Sequence, residues 1–113
     1  MKRWKLLMHV PDPARFEAAL KVARNFVLAL KGKPCEVRIL VNYEGVKVLK
    51  DFSPYDALFR EVKELGIEIY FCETALRSLE FSPSELPQGA RTVPFGIVAL
   101  VEWQNEGFQY VRA

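Results

Sequence analysis

Short runs rich in β-branched and aromatic residues alternate with longer runs of helical periodicity along almost the whole chain, and no other feature constrains the fold as tightly. A strand that passes through a helix to the next strand must cross over, so the strands lie parallel and need helices packed on their faces. The pattern predicts a three-layer α/β/α sandwich around a mostly parallel five-stranded sheet. With 113 residues there is room for one such unit and one core, so residues 1–113 read as a single domain.

The first strand is predicted over Trp4 to Val10 and the second over "CEVRILVNY" from Cys35. Between them Asp12 is placed to cap a helix with Pro13 in its first turn, a stripe of Phe16, Leu20, Ala23, Val27 and Leu30, and Gly32 as the stop. "EGVKVLK" reads as a short helical or turn segment with Val46 and Leu49 inward. "SPYD" has the form of a capping box, Ser53 paired reciprocally with Asp56, opening a helix that buries Leu58, Val62 and Leu65 and stops at Gly66. The third strand is "IEIYF", followed by a helix from about Thr74 to Phe81, and "SPSE" at Ser82 repeats the serine–proline–acid pattern. "ARTV" reads as a short fourth strand, "FGIVALVEWQNEG" as the last helix and "FQYVR" as the fifth strand.

Several function classes are excluded by composition. The net charge is only +2 with both signs interleaved, so no basic footprint for nucleic acid is expected. The longest apolar runs fall short of a membrane span, and Pro11 and Asp12 interrupt the apolar stretch after the basic start, so no membrane partner and a cytoplasmic location are expected. The chain has one histidine, no glycine-rich phosphate loop, no CxxC pair and no GxSxG elbow, so no metal or other cofactor is called for. Cys35 and Cys72 are expected to be free thiols, at opposite ends of their strands.

Ligands of open α/β sheets bind beyond the carboxyl ends of the strands, which directs attention to His9, Asn42 and Cys72. In "GIEIYFCETALRS" Cys72 stands between a strand and a helix, where amides of the following helix would favour a charged sulfur able to hold sulfane sulfur as a persulfide. The plainer alternative is that Cys72 serves only as a small buried hydrophobe. His9 is a candidate proton relay or thiolate partner, or else a hydrogen-bonded structural residue. Asn42 would orient an anion or cap a turn, Thr74 would cap the helix after Cys72, and Gly45 would permit a tight or left-handed backbone at the same rim. Trp4, Trp103, Phe108 and Tyr110 gather at the chain ends, available either for core filling or for docking a second copy.

"LLMHV" with His9, "VARNFVLAL" with Asn25, "ILVNYEGVKVL" with Gly45, "GIEIYFCETAL" with Cys72 and Thr74, and "WQNEGFQYVR" with Gln104, Gly107 and Tyr110 occur in an order and spacing that resembles the DsrE/DsrF-like family of sulfur-relay-related proteins. The resemblance implies a parallel five-stranded sheet between helices, assembly into homotrimers or homohexamers, and Cys72 in a cleft near a subunit boundary. It also implies a persulfide on Cys72 that is passed to a thiol-bearing acceptor protein. Two departures stand out: "VNYEG" where many relatives carry a histidine–glycine pair, and Glu73 where asparagine is common. The second sets a carboxylate beside the sulfur, where it would oppose negative charge. The competing function is a non-enzymatic homo-oligomer that binds a small anion or metabolite in an intersubunit cleft.

Overall fold

The computed structural model describes residues 4–113. Five strands, β1 (Trp4–Val10), β2 (Cys35–Val41), β3 (Glu68–Cys72), β4 (Arg91–Val93) and β5 (Gln109–Arg112), form one sheet in the order β4-β3-β2-β1-β5. Every neighbouring pair is parallel, so the sheet is wholly rather than mostly so. The helices are α1 (Phe16–Ala29), α2 (Asp56–Glu64), α3 (Glu73–Ser78) and α4 (Gly96–Asn105). A 3-10 stretch, Tyr43–Asp51, follows β2 and buries Val46 and Leu49 as expected, together with Gly45 and Val48.

The two faces of the sheet are covered unequally. Leu6, Met8 and Val10 of β1, Val37, Ile39 and Val41 of β2, and Ile69 and Phe71 of β3 pack with α1, α2 and the 3-10 stretch in the larger core. The alternate residues Leu7 and Leu40 pack with Ala99, Leu100, Trp103 and Phe108, so α4 alone supplies the helical cover of the other face. Trp103 and Phe108 are therefore core residues, while Trp4 and Tyr110 remain 36% and 41% exposed. Arg38 reinforces the smaller core by stacking its guanidinium 4.9 Å from the Trp103 ring and 4.5 Å from Phe108.

Three expectations are corrected. The buried face of α2 is centred on Phe59 and Val62, with Leu58 and Leu65 only half-buried at its sides. "SPYD" is not a capping box, because Phe52 is already helical (φ −84°, ψ −15°) and Ser53 donates instead to Asp51 at 2.8 Å. An N-cap must be extended; Ser82 is (φ −87°, ψ 148°), and there the box forms, with Glu85 accepting from the Ser82 amide at 2.7 Å. Finally, α3 ends at Ser78, short of Phe81, because Glu80 turns left-handed (φ 63°) and the Phe81 amide folds back onto the Leu76 carbonyl at 2.8 Å.

Candidate functional site

The carboxyl ends of β1, β2 and β3 bring the predicted residues to one rim. Cys72 ends β3, belongs to the larger core with 6% exposure, and lines a cleft of about 330 Å³. Its Sγ accepts a hydrogen bond from the Gly96 amide at 3.2 Å. The expected donor was the following helix, α3, but Cys72 makes no side-chain cap to it. The donor comes instead from the first turn of α4, which the chain brings back over the strand end through β4.

Only glycine allows that approach undisturbed. A Cβ at position 96 would stand 3.2 Å from Asn42 Cβ and 3.3 Å from both Asn42 Nδ2 and Cys72 Cβ. Thr74 fixes the same turn by donating its hydroxyl to the Pro94 carbonyl at 2.8 Å, so it ties α3 to the start of α4 rather than capping its own helix. Nor does Asn42 cap: its side chain makes no bond to the 3-10 stretch it precedes, and its Oδ1 lies 2.7 Å from His9 Nε2.

Both ring nitrogens of His9 are occupied. An amide oxygen only accepts, so Nε2 carries the proton, and Nδ1 accepts from the Tyr110 hydroxyl at 2.5 Å. Burial holds the His9 pKa below its usual 6.5, and the positive charge of Arg112 acts in the same direction, while the Asn42 hydrogen bond opposes them. His9 thus reaches the cleft only through Asn42, and no ring nitrogen is left to receive a proton from Cys72.

Gly45 is buried behind the rim rather than in the cleft, and its backbone is not left-handed. It is needed for close approach, since a Cβ there would lie 2.3 Å from the Val10 carbonyl oxygen. The left-handed residue is its neighbour Tyr43 (φ 51°), at a cost of about 1–2 kcal/mol for a non-glycine. Tyr43 is 70% exposed and lines the cleft with Phe95 and Ile97. Glu73 points elsewhere: its carboxylate accepts from the Thr92 hydroxyl at 2.7 Å in a neighbouring groove. Cys35 is half-buried at the opposite end of the sheet, and both cysteines are free.

Among the described residues, the arrangement offers a sulfur atom with one fixed N–H donor, an open cleft beside it and no general base hydrogen-bonded to it. The sequence reading missed Gly96, Tyr43, Phe95 and Ile97; the one usable signal was a glycine two residues after Pro94 at a helix start, where a capping side chain is commoner. Among the described residues no group of acidic, cysteine or histidine side chains is arranged to hold a metal ion, and no helix is long and apolar enough to cross a membrane.

No functionally curated protein matches the chain. Among solved structures it is similar to a protein of unknown function from Methanobacterium thermoautotrophicum, with a TM-score of 0.83 and 24% identity over 97% of this chain and 99% of that one. It is also similar to a conserved protein of unknown function from Bacteroides thetaiotaomicron, with a TM-score of 0.73 and 16% identity over 96% and 94% of the two chains. These likenesses establish the fold. The model of the DsrE/DsrF-like family matches residues 5–113, and the chain belongs to that family.

Proposed function

We propose that this protein is a sulfur carrier or sulfurtransferase component in which Cys72 holds sulfane sulfur as a persulfide and passes it to a partner's thiol. Family membership supports a sulfur-relay-related role. The observation that carries the specific reading is the Gly96 amide on Cys72 Sγ at 3.2 Å, at the base of an open cleft. In loading, the Cys72 thiolate attacks a sulfane sulfur and the donor's remaining group departs with the bonding electrons. In unloading, the acceptor's thiolate attacks the outer sulfur and Cys72 leaves as thiolate. Gly96 meets the sulfur in the steps where it bears negative charge, as a preorganised donor should. His9 serves as a positioning residue that fixes the Asn42 amide. Free thiols suit a reducing cytoplasm, where we expect the protein to act.

Incubation with polysulfide followed by intact mass measurement tests this. The wild type and Cys35→Ser gain sulfur and Cys72→Ser does not; absence of sulfur on wild type, or equal gain by Cys72→Ser, rejects the proposal.

The low exposure of Cys72 favours a second reading, a homo-oligomer whose cleft binds a small metabolite with the cysteine only packing. That reading expects ligand binding unchanged in Cys72→Ala. Both readings include self-assembly, because the outer side of α4 shows Val98 and Val101 at 48% and 54% exposure. Light scattering that shows only monomer rejects the assembly.

A further inference from the structure

Among the described residues lining the Cys72 cleft none is cationic, and the one ionisable side chain besides the thiol and Tyr43 is the Glu44 carboxylate, which pairs with Lys47. Arg77 reaches Thr74 at 3.5 Å but lines the neighbouring groove with Glu73. A dianion such as thiosulfate would enter without a counter-charge and past a carboxylate. The walls are instead apolar: Phe95 and Ile97 are 54% and 66% exposed on one side, and Tyr43 stands 70% exposed on a left-handed backbone on the other. A large aromatic held outward at this conformational cost, beside a cavity and a thiol, is a feature with a use.

Resting on the carrier reading above, we propose that the cleft selects its sulfur donor: an organic hydropersulfide taken in its protonated, uncharged form and carrying an apolar or aromatic group, which Tyr43, Phe95 and Ile97 hold while the outer sulfur meets Cys72. The step balances without an added oxidant. The Cys72 thiolate forms a bond to the outer sulfur of R–S–SH, the donor S–S bond breaks, R–S⁻ leaves with the electron pair, and the proton stays on the transferred sulfur. Tyr43 is the specificity-determining residue, and Asn42, whose oxygen is engaged by His9, lines the same cleft.

Benzyl hydropersulfide, glutathione hydropersulfide and thiosulfate are compared as donors by intact mass, each rate divided by the rate at which the same donor sulfurates free cysteine. The expected result is a benzyl-to-glutathione preference of roughly tenfold or more, with thiosulfate slowest. The preference falls toward unity in Tyr43→Asn, a change that suits the left-handed backbone and keeps the fold, as a thermal melt verifies. Near-equal normalised rates in wild type, or a preference untouched in Tyr43→Asn, overturn the donor selectivity while leaving the carrier reading standing. Failure of all three donors, and of polysulfide, to load Cys72 overturns the carrier reading and the selectivity with it.

Discussion

Replacing Gly45 by alanine tests whether the rim is built by close backbone approach. The new Cβ would lie 2.3 Å from the Val10 carbonyl oxygen and 3.1 Å from Val41 Cγ1. A carbon–oxygen contact is comfortable at about 3.3 Å, so the end of β1 and the 3-10 stretch must part by about 1 Å. The same carbonyl accepts the Asn42 amide at 3.2 Å, and that bond joins β1 to the residue that touches His9. Overpacking of this kind costs about 1–3 kcal/mol, and loss of the hydrogen bond about 1 kcal/mol more. Unfolding entropy of about 2.1 cal/mol/K per residue turns a total of about 2–4 kcal/mol into a fall in Tm of about 8–17 °C for 113 residues. Gly66→Ala is the control: Gly66 has φ +86° with nothing within 4 Å of a Cβ, so only the backbone term of about 1–2 kcal/mol applies, a fall of about 4–8 °C. Thermal melts followed by circular dichroism decide the matter. A Gly45→Ala protein within about 4 °C of wild type, or less perturbed than Gly66→Ala, would refute the close-approach argument.

Three further outcomes are expected. The His9 ring titrates below 6.5 by NMR, and because the unfolded histidine then binds protons more readily than the folded one, this group's contribution to stability is lost as pH falls through 6.5 toward the folded pKa. His9→Gln should flatten that acid limb in urea titrations, and a ring midpoint at or above 6.5 contradicts the burial argument. Thr74→Val removes the 2.8 Å bond to Pro94 and should cost about 0.5–1.5 kcal/mol while accelerating alkylation of Cys72, since the α4 start is untied; unchanged alkylation counts against the tie. Leu100→Ala should cost about 2–5 kcal/mol in chemical denaturation, and a loss under about 1 kcal/mol would show that α4 does not seal its face of the sheet.

The order of strands and helices was legible because periodicity and helix stops are local. Gly66 and Gly107 end α2 and α4 in left-handed turns that the sequence announces, whereas Glu80 performs the same turn after α3 without a glycine to mark it. "SPYD" and "SPSE" look alike but part company because capping depends on how the chain arrives, helical at Phe52 and extended at Ser82. The rim itself was readable, since strand ends collect His9, Asn42 and Cys72 wherever three parallel neighbours finish in register. Their partners were not readable. Gly96 meets Cys72, Tyr110 meets His9 and Thr92 meets Glu73 across intervals that only the sheet order β4-β3-β2-β1-β5 closes. The Glu73 carboxylate, adjacent in sequence to the thiol, is turned toward one such partner, the Thr92 hydroxyl.

For the proposed carrier function, a sulfur atom with 6% exposure in its residue looks ill placed for transfer between proteins, but the chemistry of a persulfide reverses that conclusion. The S–S bond is about 2 Å long, so loading moves the reactive atom outward by that distance, from the floor into the cleft. An acceptor thiolate must approach along the line of the breaking S–S bond to reach the outer sulfur. The inner sulfur stays in the buried core, within hydrogen-bond reach of the Gly96 amide, where attack would release the outer sulfur as sulfide instead of transferring it. On the proposed carrier reading, burial of Cys72 therefore directs an incoming nucleophile to the outer atom, and the start of α4 supplies the donor on the sulfur that departs.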